Sequence, residues 1–187
     1  RLVAKGGYLE ARTKIYDLAV KNIPQALQVL LNDAEHGIAH AQFALGSMFQ
    51  NGQGVPQDYK EAIKWYRFSA EKGDAATQYI LGTMYRDGKG VLQDYALAHM
   101  WFNLCASSGD KDCVKNRDII EKEMSPQQII QAQELARNWK PTNRIRVAES
   151  PPPTITPQPS TSQPSTDFQE ELDRLRQENA RLKEENK

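Results

Sequence analysis

The sequence predicts an all-α protein, a solenoid of short helical repeats, on the strength of three observations. A shift of 36 residues lays one stretch on the next, so that Gly46 falls on Gly82 and Trp65 on Trp101. Self-similarity at a fixed period of about 20–50 residues is typical of solenoids. Within each stretch apolar residues recur at helical spacing, and glycines such as Gly88 interrupt them.

Breaks in this pattern predict how the chain is divided. A terminal repeat is expected to be atypical, because one of its faces has no neighbour. The six predicted segments are a degenerate N-terminal helical repeat at 1–37, repeats at 38–73 and 74–109, C-terminal capping helices at 110–145, a Pro/Ser/Thr-rich disordered linker at 146–166, and an amphipathic coiled-coil helix at 167–187.

Helix ends carry recognisable signals in both repeats. Asp58 and Asp74 are good N-cap residues, and Glu61 three positions after Asp58 predicts a capping box. Gly88 is placed to adopt the left-handed conformation that ends a helix. Each repeat is therefore predicted to be a helix, a turn and a second helix.

Gly46 and Gly82 lie inside predicted helices, where glycine costs about 1 kcal/mol relative to alanine. Their recurrence predicts a close approach between helices at that point. The aromatic residues that recur with the period are expected in the core rather than in a ligand-binding cage. These are Trp65, Trp101, Tyr59, Tyr95, Tyr66 and Phe102.

Two closing helices are predicted near 111–124 and 126–139. Ser125 followed by proline, with Gln128 three positions on, is a helix start with a capping box. The side chains expected to pack on the repeats are Ile129, Ile130, Leu135 and Trp139.

The stretches AHAQFALGSMFQNGQGVPQDYKEAIKWYRFSAEKGD and ATQYILGTMYRDGKGVLQDYALAHMWFNLCASSGD resemble Sel-1-like repeats, relatives of the tetratricopeptide repeat. The resemblance covers the L-G, G-x-G-V and D-Y-x-x-A-x-x-W blocks. It implies a right-handed α-α superhelix that binds other proteins and has no catalytic centre. In such solenoids the first helix of each repeat lines the concave face.

First-helix residues that differ between the repeats are therefore the candidates for contact with a protein or peptide partner. They are His40, Phe43, Ser47, Gln50, Tyr79, Thr83 and Arg86. The alternative is a solvated face with no ligand.

Cys105 and Cys113 are eight residues apart, a spacing at which a secreted branch of this family forms disulfides. The resemblance thus implies a disulfide and favours a periplasmic or secreted location, with a leader removed. The alternatives are two reduced thiols in the cytoplasm, and a chain that is a fragment. No metal site is expected from these cysteines, nor from His36 and His40, which we expect on the surface.

The last 21 residues follow a heptad pattern. Its core positions are Leu172, Leu175, Asn179 and Leu182. A buried asparagine favours parallel two-stranded pairing, so the pattern predicts a homodimer through this helix. A single amphipathic helix or a charged disordered end are the alternatives.

Charge and motifs narrow the function. The formal net charge is +0, which implies no strong electrostatic attraction to nucleic acid or anionic lipid, and no apolar run is long enough to span a membrane. The sequence contains no P-loop, dinucleotide-binding glycine pattern or GxSxG motif. We expect a non-catalytic scaffold or adaptor without cofactors. The alternative is a secreted or periplasmic effector that binds or weakly hydrolyses cell-wall fragments.

Overall fold

The computed structural model describes residues 13–21, 24–140 and 177. In residues 13–21 and 24–140 the chain forms α-helices and no β-strand, which confirms the all-α prediction. The helices are α1 at residues 13–20, α2 at Pro24–Glu35, α3 at Ala39–Asn51, α4 at Tyr59–Ala70, α5 at Ala75–Asp87, α6 at Tyr95–Ala106, α7 at Lys111–Glu121 and α8 at Pro126–Asn138.

The helices follow the 36-residue period as a stack of pairs. The first helix of each unit begins at Ala39, Ala75 and Lys111, in register. The closest packing is within the pairs α3–α4 and α5–α6, and α4 packs on α5 to join them. This is the arrangement of a helical solenoid.

The turns inside the repeats form as predicted. Gly52 and Gly88 end α3 and α5 in the left-handed conformation, with φ of 68° and 66°. The Asp58 carboxylate accepts hydrogen bonds from the backbone N–H groups of Lys60 and Glu61 and so caps α4. Glu61 pairs with Lys64 on the next turn, so only the aspartate half of the predicted capping box forms.

The helical glycines allow the two helices of a repeat to approach closely, as predicted. A Cβ atom at Gly46 would lie 2.7 Å from Cδ1 of Tyr66, and one at Gly82 would lie 2.6 Å from Cε1 of Phe102. Both rings are fully buried. Glycine therefore leaves the space that each ring fills.

A glutamine ties each repeat to the helix before it. The side chain of Gln42 donates to the Ala34 carbonyl at 3.0 Å, and that of Gln78 donates to the Ala70 carbonyl at 3.1 Å. Both bonds are buried. Each carbonyl also accepts from a backbone N–H group at 3.0 Å, that of Gly37 or Gly73, so the glutamine supplies a second hydrogen bond at the end of a helix. The equivalent position in α7 is Val114, which has no such donor.

The closing helices depart from the repeat pattern. Ser125 and Gln128 form the predicted capping box at the start of α8. The main packing of α8 is on α6, where the ring of Trp139 lies 4.8 Å from that of Trp101. The prediction that Ile130 packs inward is wrong, because that side chain is 56% exposed.

Predictions for the two ends fall outside the described residues. They concern residues 1–12, the linker at 146–166, and Leu172, Leu175, Asn179 and Leu182 of the heptad segment; within that segment, the structure shows that residue 177 is helical. Among the helices that are described, none combines the length and the apolar character that a membrane crossing requires.

Candidate functional site

All seven predicted partner-binding residues lie on α3 or α5, the first helices of the two repeats. His40 is exposed, and the other six side chains are half-buried. We call this set the first-helix row: His40, Phe43, Ser47, Gln50, Tyr79, Thr83 and Arg86. One side of a half-buried side chain is exposed and can contact a ligand, while the other side packs on the protein, which fixes its position.

On α3, contacts with buried neighbours hold the row in place. The Phe43 ring lies 5.9 Å from the Tyr66 ring, and the His40 ring lies 5.6 Å from that of Tyr16. Burial raises the pKa of the Tyr66 phenol to about 12, and a hydrogen bond with Ser47 offsets part of that rise. The phenol therefore stays protonated at neutral pH.

On α5, the row is extended by a residue that the sequence prediction missed. The amide of Asn116, on α7, donates to the Tyr79 hydroxyl at 3.5 Å and to its own helix backbone at 2.9 Å. The amide oxygen of Asn116 accepts from Nη1 of Arg86 at 2.8 Å. The available sequence signal was that Asn116 is polar, whereas the equivalent residue of the preceding repeat is Ile80.

Arg86 is also held by its neighbour in sequence. Its Nε and Nη2 atoms donate to the two carboxylate oxygens of Asp87 at 2.7 and 3.1 Å. These hydrogen bonds raise the pKa of the Arg86 guanidinium and lower that of the Asp87 carboxyl. The pair adds no net charge to the row, and Asp87 is not available as a proton donor near neutral pH.

Thr83 and Tyr79 also make contacts within the chain. The Thr83 hydroxyl donates to the Ile80 carbonyl at 2.7 Å, and the Tyr79 ring lies 5.7 Å from that of Phe102. The structure thus brings Tyr79 and Arg86 together through Asn116, whereas Thr83 turns to its own helix.

Cys105 and Cys113 join α6 to the start of α7. Their Cα atoms lie 5.8 Å apart, their sulfur atoms are at disulfide-bonding distance, and both side chains are buried. One repeat earlier the same two positions are Ser69 and Thr77, whose hydroxyls are 3.3 Å apart. Both of those hydroxyls bond the carboxylate of Asp74. The cysteines therefore replace a hydrogen-bonded junction.

Asp74 begins α5, as predicted, but its side chain bonds these hydroxyls and caps no backbone N–H group. Its equivalent, Asp110, does cap α7, accepting from the backbone of Asp112 and Cys113. In the part of the chain that the structure describes, Asp110 and the two cysteines are the one group of three side chains close enough to share a metal ion. The roles of all three in the junction account for that proximity.

His99 is a buried titratable group between α6 and α7. Its side chain is 4% exposed, and its Nε2 atom lies 3.5 Å from a carboxylate oxygen of Glu121. Apart from this long contact with Glu121, neither ring nitrogen has a hydrogen-bond partner among the described residues. Burial lowers the pKa of His99, and the nearby Glu121 carboxylate counteracts part of that decrease. The equivalent residue of the preceding repeat is the buried Ile63.

Comparison with known proteins agrees with this architecture. The family model of the Sel1 repeat matches residues 39–74 and 75–110. A solved structure of a protective antigen present in uropathogenic Escherichia coli strains, which displays an SLR fold, is 35% identical, with a TM-score of 0.57. That match covers 60% of this chain and 24% of the antigen, so the chain spans about a quarter of that protein.

A Sel1 repeat protein from Oxalobacter formigenes is 28% identical, with a TM-score of 0.50, over 63% of this chain and 96% of that protein. No curated protein matches significantly. Sel1-repeat proteins are generally protein-interaction scaffolds and are typically non-catalytic. Residues 39–110 therefore match two consecutive Sel1 repeats, and the two solved structures that resemble this chain are proteins of the same repeat fold.

Proposed function

We propose that this chain is a non-catalytic scaffold that binds a protein or peptide along the first-helix row, without a cofactor or nucleic acid. One observation carries the proposal: Phe43 and Tyr79 are half-buried rings at equivalent positions of successive first helices. Each is packed on a second-helix ring of its own repeat, Tyr66 or Phe102. The result is a pair of fixed aromatic anchors repeated along the stack.

Fixed aromatic side chains suit this role because they provide large contact areas and lose little conformational entropy on binding. The polar groups beside them are also constrained, since Arg86 is bonded to both Asp87 and Asn116. A partner would therefore meet a surface that is largely preorganised.

The charges beside the row favour the scaffold over the cell-wall effector that we considered as the alternative. Acid-base hydrolysis needs a carboxyl group that can hold or release a proton near neutral pH. The carboxylate adjoining the row, Asp87, is paired with Arg86 and its pKa is lowered. Within the described residues, the row is therefore better suited to contact a partner than to supply a general acid.

Location and assembly complete the proposal. The proximity of Cys105 and Cys113 supports an oxidising compartment, the periplasm or the cell exterior. The heptad segment at 167–187 would pair two chains, and the linker before it would set the reach between two solenoids. Such a dimer would bind a multivalent partner through avidity. Sedimentation of the full chain, with and without residues 167–187, tests the predicted dimer. A monomeric mass for both proteins would contradict it.

Affinity capture with the full chain tests the row itself. A variant with His40→Ala, Gln50→Ala and Arg86→Ala should lose the proteins that the unchanged chain retains. The matched control carries Lys60→Ala and Lys72→Ala, at exposed positions outside the row. Unfolding midpoints of both variants show whether either has lost stability. Recovery of the same proteins by the folded row variant would show that the row is not the binding surface.

A further inference from the structure

A groove separate from the first-helix row lies where α8 packs against the repeats. It has a volume of about 540 Å³, is formed by α4, α5, α6 and α8, and shares no residue with the first-helix row. Met100 and Trp101 form its floor, since both are buried. Its walls are half-buried apolar and aromatic side chains, namely Tyr85, Leu97, Leu135 and Trp139.

The rim of the groove is polar and exposed. Gln131 and Asn138, both on α8, present side-chain amides there. Among the described residues, the charged side chains of the rim are Arg67, Lys140 and Glu134. Aromatic walls with side-chain hydrogen-bond donors at the edge are the chemistry that recognises proline-rich peptides. The aromatic faces contact the proline rings, and the donors bind the carbonyl groups that such an extended backbone leaves free.

The chain itself supplies a segment of this kind. Lys140, on the groove rim, is directly followed in sequence by the segment that leads to the linker. Residues 148–166 contain six prolines, and residues 151–159 read PPPTITPQP. Residues 151–159 carry no charge, and the single charged residue of 148–166 is Glu149, which is opposite in sign to Arg67 and Lys140.

We propose that residues 151–159 of this chain bind in the groove between α6 and α8, as an intramolecular proline-rich ligand. The connection is long enough, because the residues from Lys140 to Pro151 can span about 35 Å when extended. The groove runs along α8, whose 13 residues measure about 20 Å. A tether of this length keeps the ligand at an effective concentration of about 1 mM. A segment with an affinity of about 0.1 mM would then occupy the groove in about nine molecules of ten.

Occupancy would place the linker on the solenoid at a defined point before it continues to the heptad segment. It would also make the groove unavailable to proline-rich segments of other proteins. This site is separate from the first-helix row, so either proposal can fail without the other.

Paramagnetic relaxation in the full chain tests the assignment. A nitroxide attached at Thr154→Cys should broaden the indole N–H resonance of Trp139 far more than the backbone N–H resonance of Lys115, on α7. The native cysteines are buried and paired and should not take the label. Replacing Pro151, Pro152 and Pro153 by serine should remove most of the broadening, since it leaves the label and the tether in place.

A groove variant provides the complementary measurement. Gln131→Ala with Asn138→Ala should also relieve the broadening, because it removes rim donors from exposed positions. Gln127→Ala with Gln133→Ala is the matched control on α8 and should leave the broadening unchanged. Equal broadening of Trp139 and Lys115, or broadening that survives the proline substitutions, would overturn the proposal. Broadening that weakens on dilution would overturn it too, since a second copy would then supply the ligand.

Discussion

Replacing Cys105 by serine and Cys113 by threonine, the residues found one repeat earlier, would separate covalent from polar stabilisation where α6 meets α7. The bond closes a separation of eight residues. The chain-entropy model assigns such a loop about 2.5 kcal/mol. At about 2–4 °C per kcal/mol for a domain of this size, reduction should lower the unfolding midpoint by about 5–10 °C.

Two double variants show how much of that lost stability hydrogen bonds can restore. Cys105→Ser with Cys113→Thr recreates the side chains of Ser69 and Thr77 beside Asp110, which stands where Asp74 stands in the earlier junction. A buried hydrogen bond contributes about 0.5–1.5 kcal/mol. We therefore expect the free energy of unfolding of this variant to exceed that of Cys105→Ala with Cys113→Ala by about 1 kcal/mol. It should remain below that of the oxidised protein.

Thermal and denaturant unfolding, with and without reductant, measure all three proteins. Two titratable thiols on unreduced protein, or a midpoint that reductant does not change, would refute the disulfide. A serine and threonine variant no more stable than the alanine variant would refute the equivalence of the two junctions.

Three further predictions concern other buried positions. Gly82→Ala should destabilise the fold by about 1 kcal/mol, because crowding of the Phe102 ring outweighs the gain in helix propensity; denaturant midpoints that rise would contradict this. Gln78→Ala should cost about 0.5–1.5 kcal/mol by removing one of the two hydrogen bonds that the Ala70 carbonyl accepts, the other coming from the backbone N–H of Gly73, whereas the same change at an exposed α8 glutamine should cost almost nothing. His99, whose pKa is lowered by burial, binds its proton less readily in the folded chain, so the free energy of unfolding should fall as pH drops below about 6.5. A His99→Leu variant should lose that part of the pH dependence, and equal pH profiles for the two proteins would count against it.

The 36-residue period predicted the parts of the structure that depend on contacts within a repeat. Gly46 and Gly82 recur because one ring position in the same unit requires them, so their close approach could be inferred without coordinates. Gly52 and Gly88 likewise end helices through local backbone conformation alone.

Contacts between units and beyond the last repeat could not be predicted in this way. Asn116 reaches Tyr79 and Arg86 from a helix whose surface residues follow no repeated pattern. Ile130 has the apolar character of an inward residue, but α8 turns its Leu135 and Trp139 toward α6. The connection from α7 to α8 spans residues 122–125, shorter than the 88–94 connection inside the repeat, so the period no longer fixes which face points inward.

A covalent bond at α6–α7 also sets the direction in which the stack comes apart. In a linear array each pair of helices is supported only by its neighbours, so unfolding starts at an end and spreads inward. The bond between Cys105 and Cys113 prevents α7 from peeling away from α6, whereas Gln42 and apolar packing join α2 to α3 without a covalent link. Of these two junctions, the one between α2 and α3 should therefore separate first. A machine that pulls or threads the chain would meet less resistance at the junction of α2 with α3 than at the junction of α6 with α7.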